Sequence, residues 1–183
     1  DHQGDWVTEA TKANPRSERG IRRLQAERDW MRLYEQNDIP VHIFRLAGIY
    51  GPNRNILTRI QQGKSNSVYQ KGHYFSRIHV IDIARLISKS ILHPKPGIIY
   101  NVADELPENP HLVAQYAASL LGVQPLKAIS LSKADLSPMA LEFYQDNKRV
   151  DATKIRLDLK VRLFFPSYKE GLQHDFSFLN MDH

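Results

Sequence analysis

The chain has 183 residues, 42% hydrophobic and 25% charged, with a formal net charge of +5 at pH 7, enough for one domain with a full core in ordinary globular proportions. It has no cysteine, which excludes disulfides, thiolate metal ligands and a cysteine nucleophile. No apolar run approaches the ~20 residues of a membrane helix, and acids (Glu18, Glu27, Asp29, Glu35) interrupt the scattered basic residues. A soluble, cytoplasmic protein with neither a membrane nor a nucleic-acid partner is expected.

In chain order, residues 1–16 are polar and turn-like, with Gly4, Asn14 and Pro15. Ser17 is a predicted N-cap for a helix reaching about Asn37, with Glu18 favoured in its first turn. Ile21, Leu24, Trp30, Met31, Leu33 and Tyr34 give that helix a broad apolar stripe. "VHIFRL" (41–46) reads as a strand and "AGIYGP" (47–52) as a Gly/Pro loop at its carboxyl end. A weak helix over 55–61 precedes a polar stretch and the extended "YFSRI" (74–78).

Between Val80 and His93 apolar residues cover most of the helical circumference, which predicts a helix buried on more than one side. "GIIYNVA" (97–103) is a second apolar strand. Asn109 caps the next helix, Pro110 takes its first position and Gly122 ends it. The tail reads as "DLSPMALEFYQDNKRV" (135–150), a short helix from Asp151, an extended "KVRLFFP" (160–166) and a last helical turn in "SYKEGLQHDF" (167–176).

Helix, strand, helix, strand, helix is the alternation of an α/β protein with a parallel sheet. Only two convincing parallel strands are present, and two cannot bury both faces and both edges. A neighbour on the other side of "VHIFRL" is therefore expected outside these residues. The methionines are Met31, Met139 and Met181, so "DHQGDWVTEATK" holds no initiator and a longer parent is expected.

Familiar chemical motifs are absent from the sequence. His73 and His79 are six apart and His2, His42, His93, His111, His174 and His183 are scattered, so no metal site is assigned. The chain contains no G-x-S-x-G, no G-x-G-x-x-G and no G-x-x-x-x-G-K-[ST]. "GIYG" matters by position, because ligands of open α/β sheets lie beyond the carboxyl ends of the strands.

Four segments in order, "RLAGIYGP", "FSRIHVIDIA", "YNVADELP" and "NKRVDATKI", resemble the C-terminal part of extended short-chain dehydrogenase/reductases, the NAD-dependent epimerase/dehydratase group, and its atypical NAD(P)-binding oxidoreductases in particular. The resemblance covers essentially the whole chain. It implies the C-terminal portion of a Rossmann-type parallel sheet (1–52 and 79–103) with a small α+β substrate-side lobe (53–78 and 104–183). It also implies NAD or NADP as cofactor in the intact protein, with the Gly-rich loop and the active-site Ser/Thr upstream.

The same resemblance gives meaning to "NPRSERGIRRLQAE" (14–27). Members of the group carry Y-x-x-x-K followed four residues later by Glu; aligning that Glu with Glu27 puts Arg19 at the Tyr position and Arg23 at the Lys position. Arginine stays protonated and cannot cycle a proton, but Arg23 can still donate to ribose hydroxyls. A solvated helix face is the competing reading of both arginines. Phe75 stands where sugar-nucleotide epimerases place a diphosphate-gripping arginine, and Gly48 where they place an Asn, which disfavours a nucleotide-sugar substrate.

By the resemblance, Arg23, Leu46, Ala47 and Ile49 are the cofactor-side candidates and Tyr50 and Arg77 the substrate-side ones. Asp82 reads as a carboxylate favoured by the helix dipole. No catalytic residue is assigned; by side-chain type alone Tyr50, Tyr74 and His73 are candidates for a replacement proton donor. The expected partners are an unknown small-molecule substrate and either a second copy or a complementing N-terminal half. The alternatives to an oxidoreductase or epimerase/dehydratase-like enzyme are a non-catalytic NAD(P)-binding or scaffold protein and an inactive fragment.

Overall fold

The protein is described here over residues 2–179 by a computed structural model. Its strands are β1 (Trp6–Val7), β2 (His42–Leu46), β3 (Gly48–Tyr50), β4 (Asn66–Val68), β5 (Arg77–His79), β6 (Ile98–Val102), β7 (Lys127–Ile129) and β8 (Arg149–Val150). Its helices are α1 (Glu18–Asn37), α2 (Ile56–Gln61), α3 (Val80–Leu92), α4 (Pro110–Leu121), α5 (Pro138–Gln145), α6 (Thr153–Leu159) and α7 (Tyr168–Leu179). Among the described residues the strands form four pairs, β1–β8, β2–β6, β3–β5 and β4–β7, and every pair is parallel. The α/β class read from the sequence is what the chain adopts. No described helix is long and apolar enough to cross a membrane.

The longest pair aligns His42 with Ile98 and Leu46 with Val102. Tyr100 and Val102 on β6 are fully buried against Ile83 and Leu86 of α3 and Ile155 and Leu159 of α6. A second cluster joins Leu57 of α2, Val113 and Ala117 of α4, and Tyr168 and Leu172 of α7. Removing that apolar surface from water is the main favourable term in both places.

Local signals set the helix ends. Ser17 Oγ accepts the Gly20 N–H at 3.2 Å, and Asp38, at φ 54°, closes α1 by returning its N–H to the carbonyls of Leu33 and Tyr34. Asn109 accepts the His111 N–H, Pro110 follows, and Gly122 at φ 65° ends α4. At the N-terminal edge, His2 and Gly4 donate their N–H groups to Asn147 O, and Trp6 aligns with Arg149 in β1–β8. That pair links residues 1–52 to residues 104–183.

Three local readings are corrected. "AGIYGP" contains β3, because Gly48 N–H donates to Ser76 O and draws the segment alongside β5. α3 is buried on one side only: Asp82, Ile83, Leu86 and Ser90 face inward, whereas Val80, Ile87, Ile91 and Leu92 are exposed. β5, α6 and the 163–165 segment cover one face, and Ile91 and Leu92 on the other are largely exposed. The extended "KVRLFFP" pairs with no described strand; the amides of Phe164 and Phe165 bond to a carboxylate instead. The last turn is a full helix, α7, whose inward residues Tyr168, Gly171, Leu172 and Asp175 hide the apolar period behind a glycine and an acid.

Candidate functional site

Three chain segments meet where β2 and β6 end. Ala47 N–H donates to Val102 O at 2.9 Å, Gly48 N–H to Ser76 O at 3.1 Å, and Asp104 N–H to Arg77 O at 2.6 Å. A Cβ on Gly48 would lie 3.3 Å from the Ser76 carbonyl oxygen, so the close approach favours glycine at this position. The carboxyl ends of parallel strands are where such folds hold ligands.

Two charged groups occupy this junction. Arg77 Nη1 donates to Phe75 O at 2.8 Å and to Glu108 O at 3.1 Å, and its guanidinium lies 5.9 Å from the Phe75 ring centre. Asp104 is 2% exposed; its Oδ1 accepts the Leu106 N–H at 3.3 Å, and its buried Oδ2 has no hydrogen-bond partner. Burial pushes the Asp104 carboxyl up to about 7, against the pull of Arg77 and with a further push from Glu170. Burial draws Arg77 downward, and Asp104 is the first of the anions that favour its charge.

Tyr50 is buried in the second core cluster, its hydroxyl donating to Ser167 O at 3.4 Å and its ring edge-on to His79. Burial raises its phenol well above the ordinary range, and Asp104 and Asp175 add to the shift. Leu46 is exposed at the end of β2, while Ala47 and Ile49 pack on the first cluster. Leu46, Ala47, Ile49, Tyr50 and Arg77 are thus brought to one end of the strands. Arg23 and Arg19 are exposed on α1. One turn beyond Arg23, Glu27 receives two hydrogen bonds from Arg45 of β2, one from Nε at 2.9 Å and one from Nη2. Because residues four apart share a helix face, Arg23 lies on the stripe that adjoins the carboxyl half of β2.

Asp82 is a structural anchor. It is fully buried, accepts the N–H groups of Phe164 and Phe165 at 2.8 and 2.9 Å, and pairs with Arg85 at 3.1 Å. His73 is also buried, stacked on Tyr144 with ring centres 5.5 Å apart, and neither of its nitrogens has a partner. Burial lowers the His73 pKa. Tyr74 instead faces the Arg149 guanidinium at 4.9 Å.

His79, His174 and Asp175 bring ligand-type atoms within 4.8 Å of one another, a grouping that sequence spacing did not reveal. His79 Nδ1 accepts the Ile81 N–H, which puts the ring proton on Nε2, where it donates to Asp175 Oδ1 at 3.1 Å. Asn55 donates to the other Asp175 oxygen at 2.8 Å. Burial opposes the Asp175 charge, yet the bonds from His79 and Asn55 prevail and hold the carboxyl below its usual range. With both His79 nitrogens engaged, this grouping joins α2, β5 and α7 through hydrogen bonds.

Sequence reasoning also missed Asp104. An acid placed two residues past an apolar parallel strand is the signal that was available.

No family model matches the chain. It is 33% identical over 125 residues to Protein YeeZ of Escherichia coli K12, covering 68% of this chain and 43% of that protein. It superposes with TM-score 0.91 and 43% identity on a functionally unknown conserved protein from Silicibacter pomeroyi, covering 97% of this chain and 62% of that one. With dTDP-glucose 4,6-dehydratase from Bacillus anthracis, solved in complex with NAD, the TM-score is 0.76 and the identity 18%, over 97% and 56% of the two chains. The UDP-N-acetylglucosamine 4-epimerase of Bacillus cereus gives 0.76 and 14%, over 94% and 58%. The chain thus spans less than two thirds of the length of each of these proteins. Over nearly all of its own length it carries the fold seen in the NAD-dependent epimerases and dehydratases.

Proposed function

We propose that the chain supplies the substrate-facing half of an NAD(P)-dependent oxidoreductase or epimerase/dehydratase-like protein that acts on a small molecule other than a nucleotide sugar. The observation that carries this reading is the convergence of Leu46, Ala47, Gly48, Arg77 and Asp104 at the carboxyl ends of β2 and β6. The fold of an NAD-bound dehydratase supports the same ligand. The junction suits the nicotinamide end of the dinucleotide: it offers an apolar wall at Leu46 and Ala47 and an orphaned buried carboxylate oxygen at Asp104. The chain has no Gly-rich motif for the pyrophosphate, so that end is assigned to residues outside it.

In this reading Arg23 donates to the ribose hydroxyls, Leu46, Ala47 and Ile49 exclude water from the nicotinamide side, and Tyr50 and Arg77 bound the substrate side. Bound dinucleotide supplies hydride exchange. The division into a sheet part and a substrate-side lobe belongs to the same proposal.

The test is a fluorescence titration of the intact protein with NADH and NADPH, alongside a thermal melt. Saturable binding with a rising melting temperature is expected for one of them, weakened about tenfold by Arg23→Ala, the cost of one or two charge-assisted hydrogen bonds. Absence of binding would refute the reading. The presence of arginine at both the Tyr and the Lys positions favours one rival, a binder without turnover. Binding with no oxidation or reduction of any carbonyl or alcohol in a substrate panel would select it.

A further inference from the structure

The proposed function leaves open which group handles the proton, since Arg19 holds the position where relatives carry a tyrosine. Of the buried polar side chains, two carry orphaned atoms near the substrate side, His73 and Asp104. His73 is walled by Phe75 and Tyr144. Asp104 stands at the strand ends, tied by its backbone to Arg77, with Oδ2 unspent. Arg77 does not neutralise it by contact, because the Arg77 hydrogen bonds run to the carbonyls of Phe75 and Glu108.

We infer that Asp104 is the proton-transfer residue of this site, with Oδ2 exchanging a proton with a hydroxyl or carbonyl oxygen of a small-molecule substrate. This rests on the proposed dinucleotide-dependent reading. In the oxidising direction the substrate O–H bond breaks and its proton joins Asp104 Oδ2. The hydrogen on the adjacent carbon leaves with its electron pair to the nicotinamide dinucleotide, and a carbonyl remains. Reduction runs the same bonds backwards, with Asp104 returning the proton.

The surroundings suit the task. The charged and titratable groups around Asp104 are Arg77 on β5, Tyr50 on β3, and Tyr168 and Glu170 on α7. Arg77 favours the carboxylate, Glu170 and burial favour the acid, and the balance near 7 keeps both forms populated at neutral pH. Oδ1 is occupied by the Leu106 N–H, which fixes the plane of the carboxyl and leaves one oxygen for the reaction.

The nicotinamide ring carries a positive charge in NAD⁺ and none in NADH, so a carboxyl at the reacting end should distinguish the two. The experiment follows the Asp104 carboxyl carbon by NMR across pH 5–9 in the intact protein, alone, with NAD⁺ and with NADH; Asp104→Asn assigns the resonance. The free protein should titrate near 7, NAD⁺ should lower the midpoint by about one pH unit or more, and NADH should leave it in place. Asp104→Glu should restore a titrating group. A midpoint near 4, or one that NAD⁺ and NADH move equally, overturns the inference while leaving dinucleotide binding intact. If neither dinucleotide binds, the proposed function fails and this inference falls with it. If Asp104→Asn does not fold, Asp104→Glu, which removes the aspartate carboxyl signal, assigns the resonance.

Discussion

α1 and α3 are both helices with ample apolar residues, yet they are held by different means. α1 buries none of its twenty residues. It is fixed by a cap at each end, by the Arg45–Glu27 pair, and by Tyr34, whose ring lies so close to Gly97 that a Cβ there would clash. α3 is held from inside. Leu86 is 1% exposed, Asp82 is fully enclosed, and His79 caps the helix while donating to Asp175 of α7. The contrast teaches that apolar periodicity and caps decide that a helix forms, whereas burial depends on what the rest of the chain brings to its face.

The sharpest way to break this contrast is at Asp82. Asp82→Ala strands the amides of Phe164 and Phe165 and unpairs Arg85, whose guanidinium also lies over the Phe164 ring. A loss of about 2–4 kcal/mol is expected by chemical denaturation, chiefly from the two buried amides left without an acceptor.

Asp175 comes next, and through it pH. Its folded pKa is depressed, so the stability it contributes is present above the unfolded carboxyl value and is lost as pH falls through the folded one. Asp175→Asn should cost about 1–3 kcal/mol at pH 7 and should flatten the acid limb of a melting-temperature profile below about pH 4. An acid limb identical to that of the parent would show that another carboxylate governs it.

The smallest effect belongs to α1. Ile21→Glu and Trp30→Glu should each change the stability of the 183-residue chain by no more than about 0.5 kcal/mol, since both side chains are more than half exposed. A large loss on urea denaturation would mean that the stripe is covered in solution.

The two helices also mark what the sequence made legible. Ser17, Asn109, Pro110 and Gly122 act through bonds to residues a few positions away, so their roles were readable directly. The strands β2 and β6 were readable because β-branched and aromatic residues (Ile43 and Phe44; Ile98, Ile99, Tyr100 and Val102) cluster within five positions, a signal that needs no distant information. By contrast, β3 and β5 are three residues each and exist through their register with one another. The role of Asp82 depends on amides 82 and 83 positions away, and the orphaned oxygen of Asp104 on the way Arg77 spends its donors on Phe75 and Glu108. For the candidate site, the strand-end loop was foreseen and its acid was not. The arginines of α1 were foreseen as a pair, but the pairing of the next residue on their stripe, Glu27 with Arg45, appears only in three dimensions.

The seating of the first residues against Asn147 and Arg149 has a consequence in time. β1 aligns Trp6 with Arg149, and Arg149 Nε donates back to Gly4 O at 2.6 Å. β1 therefore stays unpaired until Arg149 and Val150, which lie far along the chain, have been synthesised. Pairings of such separation close late and slowly, so β1 is among the last elements to join. The exposed Trp6 ring, which faces the Arg149 guanidinium at 5.2 Å once docked, is a natural reporter of that final step.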